Sequence, residues 1–267
     1  MPRIAFLISG QARMNGLGLN ARKLPVILDS WTQYIFTDEF KATYDYDVFL
    51  TADNLDVNAT LDYFGSDRVK NIHLLDTGYY MKPVTPIPPV GGYVTKINND
   101  PRLNGYNRNL HHVHQMYKMY DVYNLMKESE GQYDYAVRLR FDIILLESIL
   151  PYCTLDTVHI YLSCDMLAIG KIDIMSWLMQ LILYANNYNP YSAVDPKDRT
   201  MLCWAYPNGK PYDLRTDWRN WTFATETQTS EHIRKYCKDN NLDTDMAVKA
   251  IGILHILRAN GKIETWT

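Results

Sequence analysis

The sequence predicts an α/β domain in which a mainly parallel mixed sheet is flanked by helices and closed by a C-terminal β-hairpin. Three observations carry this reading. "RIAFLIS" at 3–9 is a nearly continuous apolar run ending in Ser-Gly, the pattern of a parallel strand buried on both faces. Residues 24–42 have helical spacing through Val26, Ile27, Trp31, Tyr34 and Ile35 and lead into the apolar run "YDVFLTAD" at 46–53, which makes a β-α-β unit. At the other end, "GILHILR" and "KIETW" flank Ala259-Asn260-Gly261, and Asn-Gly is the turn that right-twisted strand pairs prefer.

The remaining elements follow in order. "VKNIHLL" at 69–75 is a third strand. Residues 81–106 lose periodicity and gather Pro83, Pro86, Pro88, Pro89, Gly91 and Gly92, a loop well beyond the roughly 12–15 residues common in compact domains, and so a lid, a partner surface or a plain surface loop. Helical spacing returns over 107–129 through Leu110, Val113, Met116, Tyr117, Tyr120, Tyr123 and Met126. "YAVRLRFDIIL", within 133–145, reads as one strand, "TVHIYLS" at 157–163 as another, and "IDIMSWLMQLILYAN" from Ile172 as a buried helix. "TSEHIRKYCKDNN" from Thr229 reads as a helix capped by Thr229 or Ser230. Strands and helices alternate early and mix later, which places an antiparallel strand at the sheet edge. The whole of 1–267 is read as one domain.

Composition excludes several function classes. A net charge of −3 over 267 residues gives no basic footprint for nucleic acid. The longest apolar stretches are too short to span a bilayer, and the apolar run after Met1 is shorter than a secretory signal, so the expected location is cytoplasmic. Cys153, Cys164, Cys203 and Cys237 lack the paired spacing of a zinc site or disulfide framework and read as reduced thiols.

In an open α/β sheet, ligands bind at the carboxyl ends of the strands. The first strand ends in Ser9, Gly10 and Gln11, with Arg13 beyond: a glycine that admits close backbone approach, hydrogen-bonding groups and a cation, which suits a nucleotide and also an ordinary turn. Neither a GxGxxG fingerprint nor a P-loop is present. Alternation through 133–145 puts Arg138, Arg140 and Asp142 on one face and Val137, Leu139, Phe141 and Ile143 on the other. Burying unpaired charge is costly, so either Asp142 pairs with Arg140, or Asp142 is a hard oxygen ligand for Mg²⁺ or Mn²⁺ on a diphosphate with an arginine on phosphate or sugar. The two can hold together. His111, His112 and His114 put only His111 and His114 on one helix face, with no third ligand nearby, so they read as polar lining beside Arg108 and Gln115.

"RIAFLISGQAR", "YDVFLTAD", a long helix, "YDYAVRLRFDIIL", "CDMLAIGKIDIM" and "SEHIRKYCKDNN" follow in order the layout of GT-A-like nucleotide-sugar glycosyltransferases, of the kind found in large DNA viruses and bacterial surface-polysaccharide loci; the chain resembles that family over nearly its whole length. The resemblance implies a nucleotide-binding half at about 1–145, an acceptor-binding half at about 146–267, and a DxD motif holding a divalent cation. Here Arg140 stands where the first aspartate would be, leaving Asp142 as the metal position. It also implies UDP as the carrier, with UDP-xylose or UDP-rhamnose fitting viral relatives, a nucleoside contact at Asp53, and a metal or acceptor contact at Asp165. A base is needed for the acceptor hydroxyl, and Glu231, placed in a first helical turn, is the candidate.

The expected function is therefore transfer of a sugar from a nucleotide donor to an oligosaccharide or glycoprotein acceptor, assisted by Mn²⁺ or Mg²⁺. Ser9, Gly10, Gln11, Arg13, Asp53, Arg108, Gln115, Arg138 and Arg140 would hold the donor, Asp142 the metal, and Asp165 and Glu231 would serve the chemistry. The rival readings are a non-catalytic nucleotide- or carbohydrate-binding module and a sugar nucleotidyltransferase.

Overall fold

β1 (Arg3–Gln11) lies inside a seven-stranded sheet, which is why Ile4 to Ile8 are all apolar and buried. The computed structural model describes residues 1–11, 24–53, 55–75, 108–154, 156–163, 165–184, 200–205, 211–213, 225–257 and 263–265. The expected loop at 81–106 lies outside the described residues.

α1 (Leu24–Tyr34) and α2 (Asp38–Thr43) lead to β2 (Asp45–Asp53), which pairs with β1 in parallel. The spacing over 24–42 predicts one helix, but the chain breaks it at Ile35–Thr37. Thr37 is extended, and its side chain accepts from the Phe40 N–H to start a new helix. α3 (Val57–Phe64) is an addition to the sequence reading, capped by Asp56 and stopped by Gly65 at φ 89°. β3 (Val69–Leu75) forms the sheet edge beside β2. α4 (Arg108–Glu128) then crosses one face and delivers β4 (Tyr135–Leu139) to the other side of β1, again in parallel.

The single strand expected over 135–145 is in fact two. β4 stops at Leu139, and β5 (Ile143–Leu145) pairs antiparallel with β11 (Leu254–Leu257) in a separate three-stranded sheet. α1 fixes the departure, because the Trp31 indole N–H donates to the Ile143 carbonyl at 3.0 Å and the Leu145 N–H donates to Ser30 Oγ at 3.2 Å. Side chains of α1 thus satisfy backbone groups of β5 that the main sheet could not serve.

β6 (Ile160–Ser163) and β7 (Leu167–Lys171) form a tight hairpin. The connection is too short for a parallel crossover, so β7 runs antiparallel. It inserts between β6 and β4, giving the order β10-β6-β7-β4-β1-β2-β3. The antiparallel strand expected at an edge is therefore interior, and the edge is β10 (Val248–Ala250), parallel to β6. The buried helix expected from Ile172 divides at Gln180 into α5 (Ile172–Met179) and α6 (Leu181–Tyr184). β8 (Thr200–Ala205) and β9 (Pro211–Asp213) form a two-stranded sheet. α7 (Thr225–Asp239) starts at Thr225 rather than at a cap on Thr229 or Ser230, because Thr225, Gln228, Thr229 and Ser230 are buried polar residues that carry no apolar periodicity. Glu231 consequently lies in the second turn, beyond the reach of the first-turn dipole argument. After α8 (Thr244–Ala247), β11 and β12 (Ile263–Thr265) form the expected C-terminal hairpin, with Leu257 opposite Ile263.

These elements make a single α/β domain in which a mixed seven-stranded sheet is flanked by helices and a small antiparallel sheet carries the C-terminal hairpin. An aromatic cluster of Phe6, Phe36, Phe40 and Tyr46 fills the space between the sheet and α1–α2. Cys153 and Cys237 are buried free thiols. Among the described residues no helix is long and apolar enough to cross a membrane.

On the other side, His232 of α7 stacks on Trp177 of α5 at 4.7 Å, and each side chain bonds the other's backbone carbonyl. Burial pushes the His232 imidazole down to about 3, so it is neutral in the fold. Because the folded value is depressed, the unfolded chain takes up the proton first, and stability falls as pH drops from the ordinary histidine range through about 3. The full loss amounts to about 4–5 kcal/mol at one pKa unit per ~1.36 kcal/mol. Urea unfolding at a series of pH values is expected to show this fall, and His232→Gln to flatten it; an equal slope in both proteins would assign the acid sensitivity elsewhere.

Candidate active site

The carboxyl ends of β1, β2 and β4 lie side by side. Ser9 is in register with Thr51, Gln11 with Asp53, and Leu7 with Arg138, so Ser9, Thr51, Asp53 and Arg138 share the face that α4 covers. α4 meets them with polar groups. Thr51 Oγ1 donates to Asp121 at 2.7 Å, His73 Nδ1 bonds the same Asp121 oxygen at 2.7 Å, and Lys118 Nζ lies 3.6 Å from Asp53 Oδ1. Asp53, expected to meet a nucleoside, is thus buried beside a buried lysine. Gly10 has φ 145°, where a side chain is strained, and a Cβ there would sit 3.8 Å from the Phe141 backbone nitrogen. The end of β1 therefore abuts the turn that follows β4.

That turn holds the charges. Arg140 forks onto Asp142, Nε to Oδ1 at 3.0 Å and Nη2 to Oδ2 at 2.6 Å, while Nη1 reaches Asp165 Oδ2 at 3.2 Å. This bidentate geometry is the strongest form of a charge-assisted pair. Asp165, just after β6, is buried with only 3% exposure. Arg138 is 1% exposed, and its Nη1 donates to the Met166 carbonyl at 3.0 Å. Burial lowers its guanidinium to about 10, with Asp165 opposing that shift and Arg140 adding to it. It remains charged at neutral pH.

Three polar atoms here are buried without a hydrogen-bond partner among the described residues: Arg138 Nε, Ser9 Oγ and, from α4, Gln115 Nε2. Buried polar groups in native proteins are nearly all satisfied, so such exceptions call for an explanation. At the opposite end of the sheet, the buried Asp47 accepts from both Arg3 and Tyr133.

A divalent cation needs several oxygen ligands at roughly 2.0–2.6 Å. Among the described residues no group of three or more His, Cys, Asp or Glu is placed to hold one. Asp142 turns both oxygens to Arg140, and Asp165 gives one to the same guanidinium. This donor set does not fit a divalent cation.

No family model matches the chain, and no curated protein matches it. Solved structures similar to it include the galactosyltransferase LgtC in complex with donor and acceptor sugar analogs, at 10% identity and a TM-score of 0.29 over 70% of this chain and 60% of that one. Mouse xyloside xylosyltransferase 1 in its apo form is similar at 10% identity and a TM-score of 0.32, over 92% of this chain and 79% of the other. The apo glycosyltransferase GlyE of Streptococcus pneumoniae is similar at 10% identity and a TM-score of 0.30, over 74% and 41%. The matched region thus spans about three fifths of LgtC and two fifths of GlyE.

Of the residues singled out in sequence, the fold gathers Ser9, Gly10, Asp53, Gln115, Arg138, Arg140, Asp142 and Asp165 at the carboxyl ends of β1, β2 and β4 and under α4. Arg13 lies outside the described residues, as do the side chains of Gln11, Arg108, His111, His112 and His114. Glu231 pairs with Arg234 at 2.8 Å on α7. Thr51, His73, Lys118 and Asp121 join the site without having been expected from the sequence. A signal existed for two of them, since Gln115, Lys118 and Asp121 recur every third residue along a helix otherwise rich in Tyr and Met. Chemically, the turn after β4 offers the Arg138 and Arg140 guanidiniums with the Asp142 and Asp165 carboxylates, beside the Asp53–Lys118 pair and open donors at a strand edge, a setting that accepts anionic and hydroxyl oxygens.

Proposed function

We propose that the chain is a glycosyltransferase that moves a sugar from a UDP-sugar to a glycan acceptor. The observation that supports this best is Arg138, a charged guanidinium buried at the carboxyl edge of the central strands with its Nε open among the described residues. A diphosphate oxygen would satisfy that donor, and the donor's hydroxyls would satisfy Ser9 Oγ and Gln115 Nε2. In the transfer, the acceptor hydroxyl oxygen forms a bond to the anomeric carbon as that carbon's bond to the diphosphate oxygen breaks. The electron pair leaves on UDP, and the hydroxyl proton passes to a carboxylate, for which Glu231 is our assignment. Asp165 holds Arg140 and faces the acceptor. UDP-xylose and UDP-rhamnose are the first donors to try, and the cytoplasm is the compartment this reading assigns.

Calorimetric titration with UDP, using GDP and CMP as comparators, tests the site, and a UDP-sugar panel scored for UDP release tests the chemistry. Saturable UDP binding with release of UDP from one sugar donor is the expected result. Binding with no turnover on any donor or acceptor would favour a non-catalytic binding module, and no nucleotide binding would remove the proposal.

A further inference from the structure

We propose that Arg140 takes the position of a divalent cation in this site, so that a nucleoside diphosphate is held against guanidinium groups without metal. The inference rests on the transferase reading and goes beyond it, since it replaces the metal assistance expected at Asp142. Three observations carry it. The first is charge: among the described residues, Asp142 and Asp165 already face Arg140 and Arg138, two guanidiniums against two carboxylates. A dication entering here would face two like charges in a poorly solvated setting, where electrostatic terms are strong.

The second is geometry. Asp142 presents both oxygens to the Arg140 fork, and Asp165 adds Oδ2 from a segment 25 residues further along the chain. An ion would have to displace a bidentate pair to reach lone pairs at bonding distance. The third is position. Arg140 begins the turn whose Phe141 nitrogen lies against Gly10, so the guanidinium is carried at the end of β1, where the diphosphate is proposed to lie. A planar guanidinium matches phosphate oxygens in the same way it matches carboxylates. As the bond to the sugar breaks, charge grows on the leaving diphosphate. Arg140 and Arg138 are cations already in place to stabilise it.

The test compares UDP affinity of the whole protein in EDTA and in Mn²⁺, with free Mn²⁺ followed in parallel by electron paramagnetic resonance. Wild-type protein is expected to bind UDP equally well, within about twofold, in both media and to leave the Mn²⁺ signal unquenched. R140D rebuilds an acidic pair around Phe141 and is expected to lose about tenfold or more in UDP affinity in EDTA, to recover it with Mn²⁺, and to quench the signal. If R140D does not fold, R140Q is expected to lose affinity in both media. Wild-type UDP binding that collapses in EDTA and returns with Mn²⁺ would overturn the inference and leave the transferase reading standing. If UDP binds in neither medium, the transferase reading fails, and Mn²⁺ quenching by wild-type protein then decides against the metal-free site on its own.

Discussion

Arg138→Met is expected to weaken nucleotide binding tenfold or more while leaving the fold as stable as before, or more so. The two effects separate because the residue's surroundings are unfavourable to it. Burial lowers its guanidinium to about 10, and for a base a depressed folded value means that the charged form is disfavoured by folding. That cost is present throughout neutral pH and is relieved only as pH rises beyond about 10. Methionine fills a similar length without the charge, and Asp165 keeps Arg140 as its partner. A gain of up to about 3 kcal/mol is expected, from a shift of two to three units at ~1.36 kcal/mol each. UDP affinity is expected to fall by tenfold or more, since a hydrogen bond to a charged group contributes about 1.5–3 kcal/mol. Urea midpoints and calorimetry read the two separately. A loss of stability with UDP affinity retained would make Arg138 a structural clamp and remove the observation on which the proposed function rests.

Asp165→Asn is expected to do the reverse to the fold. Asp165 is buried, accepts from Arg140 at 3.2 Å, and is the foremost influence opposing the depression of Arg138. Neutralising it leaves two guanidiniums that oppose each other, with the partly exposed Asp142 as the carboxylate that still pairs with Arg140 among the described residues. Breaking a buried ion pair by removing one partner costs about 3–5 kcal/mol, and the denaturation midpoint is expected to fall accordingly. The double variant Arg138→Met with Asp165→Asn should recover part of that loss. A measured coupling of at least ~0.5 kcal/mol would show that the two act as one unit, whereas strictly additive changes would mean that Asp165 serves only Arg140.

How much of this was legible in the sequence depends on what each residue answers to. "RIAFLIS" was readable because a strand covered on both faces has no reason to alternate, and the pairing of the last two strands because two short apolar runs flank a turn signal in the sequence. The charges at Arg138, Arg140 and Asp142 were readable as an anomaly in an apolar run. The break after Leu139 was hidden because alternation continues through Ile143 even though the hydrogen-bonding partner changes from one sheet to another. The start of α7 was hidden because its buried face is made of Thr and Gln rather than Leu. Asp165 could be named as a candidate acid, but its bond to Arg140 spans 25 residues and is set by the β6–β7 hairpin, which no local pattern announces.

The departure of β5 from the main sheet also bears on how the protein is made. Among the described residues, the strand partner of Ile143–Leu145 is β11, and the Leu146 N–H donates to Ile253, so the segment that anchors the far side of the Arg140 turn is synthesised more than a hundred residues later. A ribosome releases the chain from its N-terminus, and β1, β2 and β4 are free to assemble long before Leu254 emerges. The turn that carries Arg140 is therefore tied down on its far side only once Leu254–Leu257 has been made, well after the parallel strands on its near side.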